Sequence, residues 1–341
     1  MTDYKKLKLT ATSSPHIRAG EDTRSIMLDV IIALCPALVW AVIEFGFRSL
    51  TVTCFSIIGC IFWEWLYRKL MKKPQSIADL SAVVTGILIA FVSPVTVGYW
   101  QIFIGDFFAI VVVKQLFGGI GKNFLNPALA ARAFMLASWA STMTTWINPL
   151  KSKAAVFGAN ADIVTSATPM SFLHQNNLEA LKKTGVTVLD LFRGSCGGSL
   201  GEVSALMLIL GGAYLLVRKV ISWEIPVCYI GTVALLALIF PRGNNPVEWM
   251  LYNVFGGGLI LGAIFMATDY STSPVTKKGQ IIYAVGCGLF TVFIRYFGAY
   301  NEGVCYSIMV MNCCAPLIDR SVKPSRFGVA KSDKRKEAAS K

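Results

Sequence analysis

The run DIVTSATP at 162–169 sets three hydroxyls, Thr165, Ser166 and Thr168, behind one acid, Asp162. By residue type alone the run reads as a turn, because Ser, Thr and Asp bond their own backbone in loops. RGSCGGSLGE at 193–202 clusters glycines where backbone N–H groups can aim at a phosphate. The plain alternative is a Gly-rich turn. GGIGKNFLNP at 118–127 is not a P-loop, since no Gly-Lys-Ser/Thr follows at the right spacing. Its two amides, Asn123 and Asn126, each carry donors and an acceptor. Asn126, just before Pro127, equally suits a helix cap.

Asp106 and Arg132 stand inside apolar stretches, where ionisable groups are costly and usually functional. For Asp106 the two readings are a place on an ion path and a polar contact between packed helices. Glu64 and Asp269 fall nearer a stretch end, where solvation is easy, and Arg295 reads as a snorkelling arginine. Two histidines, His16 and His174, argue against a bis-His haem or a His-rich metal site. None of the nine cysteines forms a C-x-x-C pair. They read as small hydrophobes, with a cluster completed by partner chains as the alternative.

What must position these residues follows from composition. Of 341 residues, 55% are apolar and 15% charged. That leaves too little polar surface to cover a soluble core of this size, and rules out disorder. A polytopic membrane protein remains. Ten apolar stretches lie near 25–46, 50–67, 80–98, 100–117, 128–146, 203–217, 225–240, 247–267, 280–298 and 303–318. The expected fold is all-α, with about ten transmembrane helices. The 24 residues before the first stretch hold no apolar run, so they are not a cleavable signal peptide.

The net charge of +13 would suggest nucleic acid in a soluble chain. Here the lysines and arginines orient the spans instead. With the N-terminus in the cytoplasm, 23 basic residues fall inside and 7 outside. Both termini are then cytoplasmic, and the loop 147–202 lies outside. Five stretches precede that loop and five follow, which makes two halves of inverted topology with sites at their interface. The equivalent third and eighth stretches carry Pro94 and Gly256, Gly257 and Gly258. Interrupted helices at matching positions point to a midplane site; close helix packing is the other use of such glycines.

Five runs then stand out: SPHIR at 14–18, LFGGIGKNFLNPALAARAFM at 116–135, GGSLGEV at 197–203, LGAIFMATDYSTSPVTKKGQ at 261–280 and RYFGAYNEGV at 295–304. In this order the chain strongly resembles the family of Rnf-complex D subunits and the homologous B subunits of the Na⁺-translocating NADH:quinone reductase. The likeness runs from about Ser14 to Asp319, and the short segment before the first stretch favours the Rnf branch. The resemblance implies FMN joined through its phosphate to the last threonine of a D-x-x-[ST]-G-A-T pattern, here Thr168. Ser166 stands where that pattern has Gly, which leaves Thr165 and Ser166 as minor alternative acceptors. The resemblance also implies a second, noncovalent flavin, riboflavin, near Asn123 and Asn126.

The expected organisation is a cytoplasmic segment at 1–24, a five-helix half at 25–146, an external flavin-bearing loop at 147–202, a second half at 203–318 and a basic cytoplasmic tail at 319–341. The expected role is a membrane electron-transfer subunit in the bacterial inner membrane. Its complex would couple ferredoxin:NAD⁺ oxidoreduction to Na⁺ or H⁺ movement. Implied partners are the other Rnf subunits, membrane lipid and a flavin transferase that attaches the FMN, with no nucleic acid. The rival readings are the quinone-reductase homologue, told apart by its electron acceptor, and a non-redox solute transporter, told apart by the absence of flavin absorbance.

Overall fold

The computed structural model describes residues 22–147, 168–175, 178–202, 204–243, 245–298 and 300–323. The run 162–167, with Thr165 and Ser166, therefore lies outside the described residues, as do SPHIR and most of the basic tail. Among the described residues the fold is all helical. The first group is α1 Thr23–Phe45, α2 Phe47–Leu70, α3 Ser81–Phe91, α4 Tyr99–Phe107 and α5 Pro127–Ser138. Four short helices follow: α6 Ala140–Met143, α7 Pro169–His174, α8 Leu178–Lys183 and α9 Val188–Arg193. The second group is α10 Ala205–Val217, α11 Glu224–Ile239, α12 Pro246–Phe255, α13 Leu259–Leu261, α14 Lys277–Phe297 and α15 Val304–Ser321. α4 continues as a wider π-helical segment, Phe108–Gln115, and α13 as another, Gly262–Met266.

The helix starts are readable in residue chemistry. α5, α7 and α12 each open on proline, whose fixed φ suits the first turn and whose missing N–H is not needed there. Asn126 and Thr168 cap α5 and α7 through side-chain oxygens. α1, α2 and α14 are each long and apolar enough to cross a membrane; α12 with Leu259–Met266 makes a fourth such unit, bent by 59°. α3, α5, α10 and α11 are shorter apolar helices. Val39, Ile43, Ile58, Leu210, Leu235 and Phe293 each expose more than half their surface. A soluble surface rarely carries so many large apolar groups, so these faces meet lipid, and the chain is a polytopic membrane protein.

Packing relates the two helix groups. α2 lies against α3 and α4, as α11 lies against α12 and α14. The first helices of the groups, α1 and α10, pack on each other, and so do the last, α5 and α15. The α1–α10 seam is backbone to backbone: a Cβ on Gly211 would overlap the Ala33 carbonyl oxygen. Without a hydrophobic driving force between helices in lipid, such close contact supplies the attraction.

Both suspected interruptions are real breaks. The helix in the 80–98 stretch stops at Phe91, and its end is closed by Leu200 N–H donating to Ser93 O (3.1 Å) and Gly201 N–H to Phe91 O (2.8 Å). Beyond it, Arg48 donates from Nε to Val95 O (2.7 Å) and from Nη2 to Val97 O (3.1 Å). In the second group the break at 256–258 is held by Arg295, which donates to Asn253 O (2.5 Å), Gly256 O (3.1 Å) and Gly257 O (3.3 Å). Arg295 is buried and does not snorkel outward, because those carbonyls claim its guanidinium.

Gly211→Ala is expected to lower the unfolding temperature of the detergent-solubilised protein, since backbone at Ala33 cannot step aside. Gly231→Ala, with nothing within 4 Å of the added carbon, is expected to leave it unchanged or raise it slightly, as Ala is the better helix former. Equal effects of the two substitutions would contradict the seam.

Candidate functional site

Two cavities lie where the helix groups meet, one at each end. The first, about 320 Å³, is lined by Arg132, Trp146, Thr168, Tyr300, Glu302 and Tyr306 among others. Thr168 reaches it by a local device. Its Oγ1 accepts from Ser171 N–H (3.3 Å) and Ser171 Oγ donates back to Thr168 O (2.7 Å), so Thr168 is held at the start of α7. α7 is tied down in turn by His174 Nε2, 2.8 Å from Gly298 O, and by Met170 and Leu173 buried in a cluster with Leu191, Trp249 and Tyr252. Thr168 is itself buried. On its other side is a gap of about 20 Å³ bordered by Gly197, Gly198, Glu202 and Gly257. Gly197 and Gly198 of the glycine cluster thus sit beside Thr168, whereas the N–H groups of Leu200 and Gly201 are already spent on the end of α3.

The charge at this end comes from both helix groups. Arg132 on α5 donates to Glu202 (3.3 Å), which precedes α10, and to Glu302, which precedes α15. Gly258, at φ 64°, makes this possible: a Cβ there would overlap Glu202 Oε1. Burial pushes the Glu302 carboxyl up, against the attraction of Arg132. Cys196 nearby is a buried thiol pushed up to about 12, first by burial and then by Asp190 and Glu44, so it stays a neutral packing group. The arrangement presents a cation, two carboxyls and three aromatic rings around one threonine. Its one cation is balanced by the two carboxyls, and the rings leave apolar faces beside the threonine.

The second cavity, about 110 Å³, is lined by Lys114, Asn123, Asn126, Thr268, Asp269 and Tyr270 among others. Asn126 is largely committed: Oδ1 accepts from Ala128 N–H (3.0 Å) and Leu129 N–H (3.4 Å), and Nδ2 donates to Met266 O (3.2 Å). It caps α5 and ties it to the π-helical segment after α13. Asn123 Nδ2 donates to Leu125 O (3.1 Å). Lys114 donates to Glu64 (2.9 Å) and to Ser81 Oγ (2.6 Å). Glu64 also accepts from Gln115 Nε2 (3.0 Å) and Ser76 Oγ, and it is fully buried. This corrects the expectation of easy solvation: its partners close over it where α2, α4 and the 76–81 turn converge. Asp269, by contrast, sits in a loop turn and accepts from Ser271 Oγ (2.8 Å).

Thr168 and the Asn123–Asn126 pair are thus at opposite ends of the interface, and Asp106 is at neither, buried between α2 and α4. Residue reading missed Glu202 and Glu302 as partners of Arg132. The signal was present: an arginine inside an apolar stretch needs acids, and each glutamate stands in a distinctive run, GGSLGEV or RYFGAYNEGV.

Comparison with known proteins gives the chain's relatives. The model of the NQR2, RnfD, RnfE family matches residues 10–328. The chain is 48% identical to the D subunit of the Na⁺-translocating ferredoxin:NAD⁺ oxidoreductase complex of Acetobacterium woodii, over 98% of this chain and 99% of that one. It is 42% identical to the D subunit of the proton-translocating ferredoxin:NAD⁺ oxidoreductase complex of Clostridium ljungdahlii, over 95% and 97%. With the D subunit of the ion-translocating oxidoreductase complex of Stutzerimonas stutzeri it shares 37%, over 92% and 93%.

Arg132→Met is expected to cost about 3 kcal/mol, the low end for breaking a buried ion pair, because the Glu302 carboxyl can take up a proton. Adding Glu302→Gln to Arg132→Met is expected to recover part of that loss, since one of the two stranded acids is gone. Denaturant unfolding in detergent reads both, and strictly additive effects would show that the two residues do not interact.

Proposed function

The chain belongs to the NQR2, RnfD, RnfE family, and from that premise we propose that it is the membrane electron-transfer subunit of an ion-translocating ferredoxin:NAD⁺ oxidoreductase complex. The observation that carries this reading is identity of 48% and 42% along almost the whole chain to relatives that bear that name. The same names favour ferredoxin and NAD⁺ over a quinone as redox partners. As part of a complex it works beside the other Rnf subunits.

The reading extends to ten membrane crossings in two inverted halves. Its support is the matched packing of α1–α5 and α10–α15, with a break in the third element of each. It extends to an inner-membrane location with both termini cytoplasmic, on the bias of Lys and Arg. The cavity at Thr168 then lies on the outer side and the cavity at Asn123 on the inner side.

In this reading Thr168 carries FMN through a phosphoester, attached by a separate flavin transferase. The fit is chemical: a hydroxyl at the rim of a cavity with one arginine and the rings of Trp146, Tyr300 and Tyr306. A bound flavin supplies one- and two-electron chemistry. The protein's share is positional. Thr168 is fixed by its cap on α7; Arg132, paired with Glu202 and Glu302, lines the same cavity; and the aromatic rings offer faces for stacking. At the inner cavity a riboflavin would rely on Asn123, because Asn126 is largely occupied as a cap.

Thr168→Ala is expected to remove the fluorescent flavin band from a denaturing gel of the membrane fraction. Mass spectrometry of the wild-type peptide containing Thr168 is expected to show the added mass of FMN. A band that survives the substitution, or an unmodified peptide from active complex, would overturn the assignment.

A further inference from the structure

Asp106 lies outside both cavities, and no described lysine, arginine or histidine pairs with it. It is fully buried on α4 where that helix meets α2. One carboxyl oxygen accepts from Ser56 Oγ (2.8 Å) and Cys60 Sγ (3.4 Å). The other has no partner among the described residues and rests against Gly59, where any Cβ would overlap it. The absence of a side chain at Gly59 is what admits the carboxyl.

The groups that face it are few. α2 presents Cys60 and, one turn on, Glu64; the π-helical continuation of α4 presents Lys114, already bound to Glu64. α3 contributes the Gly86 carbonyl, which accepts from Ser56 Oγ (3.0 Å), and α5 contributes Met135, packed on Gly105. An ionised carboxylate with one bare oxygen in such surroundings would carry a desolvation cost of several kcal/mol. The neutral acid avoids most of it.

A row of buried polar groups on α2 runs toward it. Ser56, Cys60 and Glu64 recur every four residues on one buried face of α2. The row ends at Arg68, 3.8 Å from Glu64, with Lys69 and Met71 exposed beyond it. We propose that Asp106 is a proton-binding site inside the membrane layer, filled and emptied from the basic end of α2 by way of Glu64 and Cys60. Uptake forms an O–H bond on Asp106 with a proton from hydronium in the adjoining aqueous phase. Release breaks that bond and returns the proton to water, and no electrons move. The proposal does not depend on either flavin.

Infrared difference spectroscopy of the assembled complex in lipid vesicles at neutral pH tests it. Wild type minus Asp106→Asn is expected to show the C=O stretch of a protonated carboxylic acid; carboxylate bands in its place would overturn the proposal. Should Asp106→Asn fail to assemble, Cys60→Ala is expected to shift the same C=O band, because one donor to the carboxyl is lost; an unmoved band would count against it. In heavy water the band is expected to shift with time, several-fold more slowly in Glu64→Gln. Equal exchange rates would overturn the route.

Discussion

In an apolar medium no water is at hand for a backbone carbonyl, so every helix break must bring its own donors. This chain breaks a helix in each group and covers each break with a buried arginine. Arg48 serves the carbonyls of Val95 and Val97, and Arg295 those of Asn253, Gly256 and Gly257. Much else hangs on these two caps. With the 256–258 turn fixed, Gly258 admits Glu202 and Gly257 borders Thr168. The end of α3, in turn, receives the glycine loop at 200–201, which places Gly197 and Gly198 beside the same threonine.

The interface between the helix groups is specified by polar contacts more than by fit alone. Arg132 joins α5 to the segments before α10 and α15, and Asn126 joins α5 to the Met266 carbonyl. Buried ion pairs add little net stability against an apolar alternative, yet removing one partner is costly. They therefore penalise any other register of the two groups. Glycine does the complementary work at the α1–α10 seam, where bulk, not charge, sets the spacing.

The helical positions were legible because membrane helices must be apolar along their length, and each expected stretch holds a described helix. Helix lengths were less legible. Hydropathy runs straight across Phe91, since the loop beyond it is buried and apolar too, so the early stop of α3 is invisible to a window. Thr168 could be picked out only by resemblance, because its hydroxyl-rich run has the composition of an ordinary turn. Asn126 before Pro127 was readable as a cap from its position alone. The burial of Glu64 was not readable: its hydrogen-bond partners come from 12 to 51 positions away, and only the packing of α2 on α4 brings them together.

The placement of charge also constrains how electron and ion movement can be linked. The two cavities lie between the helix groups, whereas Asp106 lies wholly within the first. Lys114 is the bridge: it lines the cavity at Asn123 and also pairs with Glu64, at the foot of the polar row on α2. A negative charge gained in that cavity would compete with Glu64 for the same ammonium. Any release of Glu64 would then alter the electrostatics at the foot of that row. Among the described residues the cavity at Thr168 has no comparable shared residue, since Arg132 is engaged by Glu202 and Glu302 and α2 does not reach it. On this geometry a charge gained in the cavity at Asn123 has a physical connection to the buried acid, and one held in the cavity at Thr168 does not.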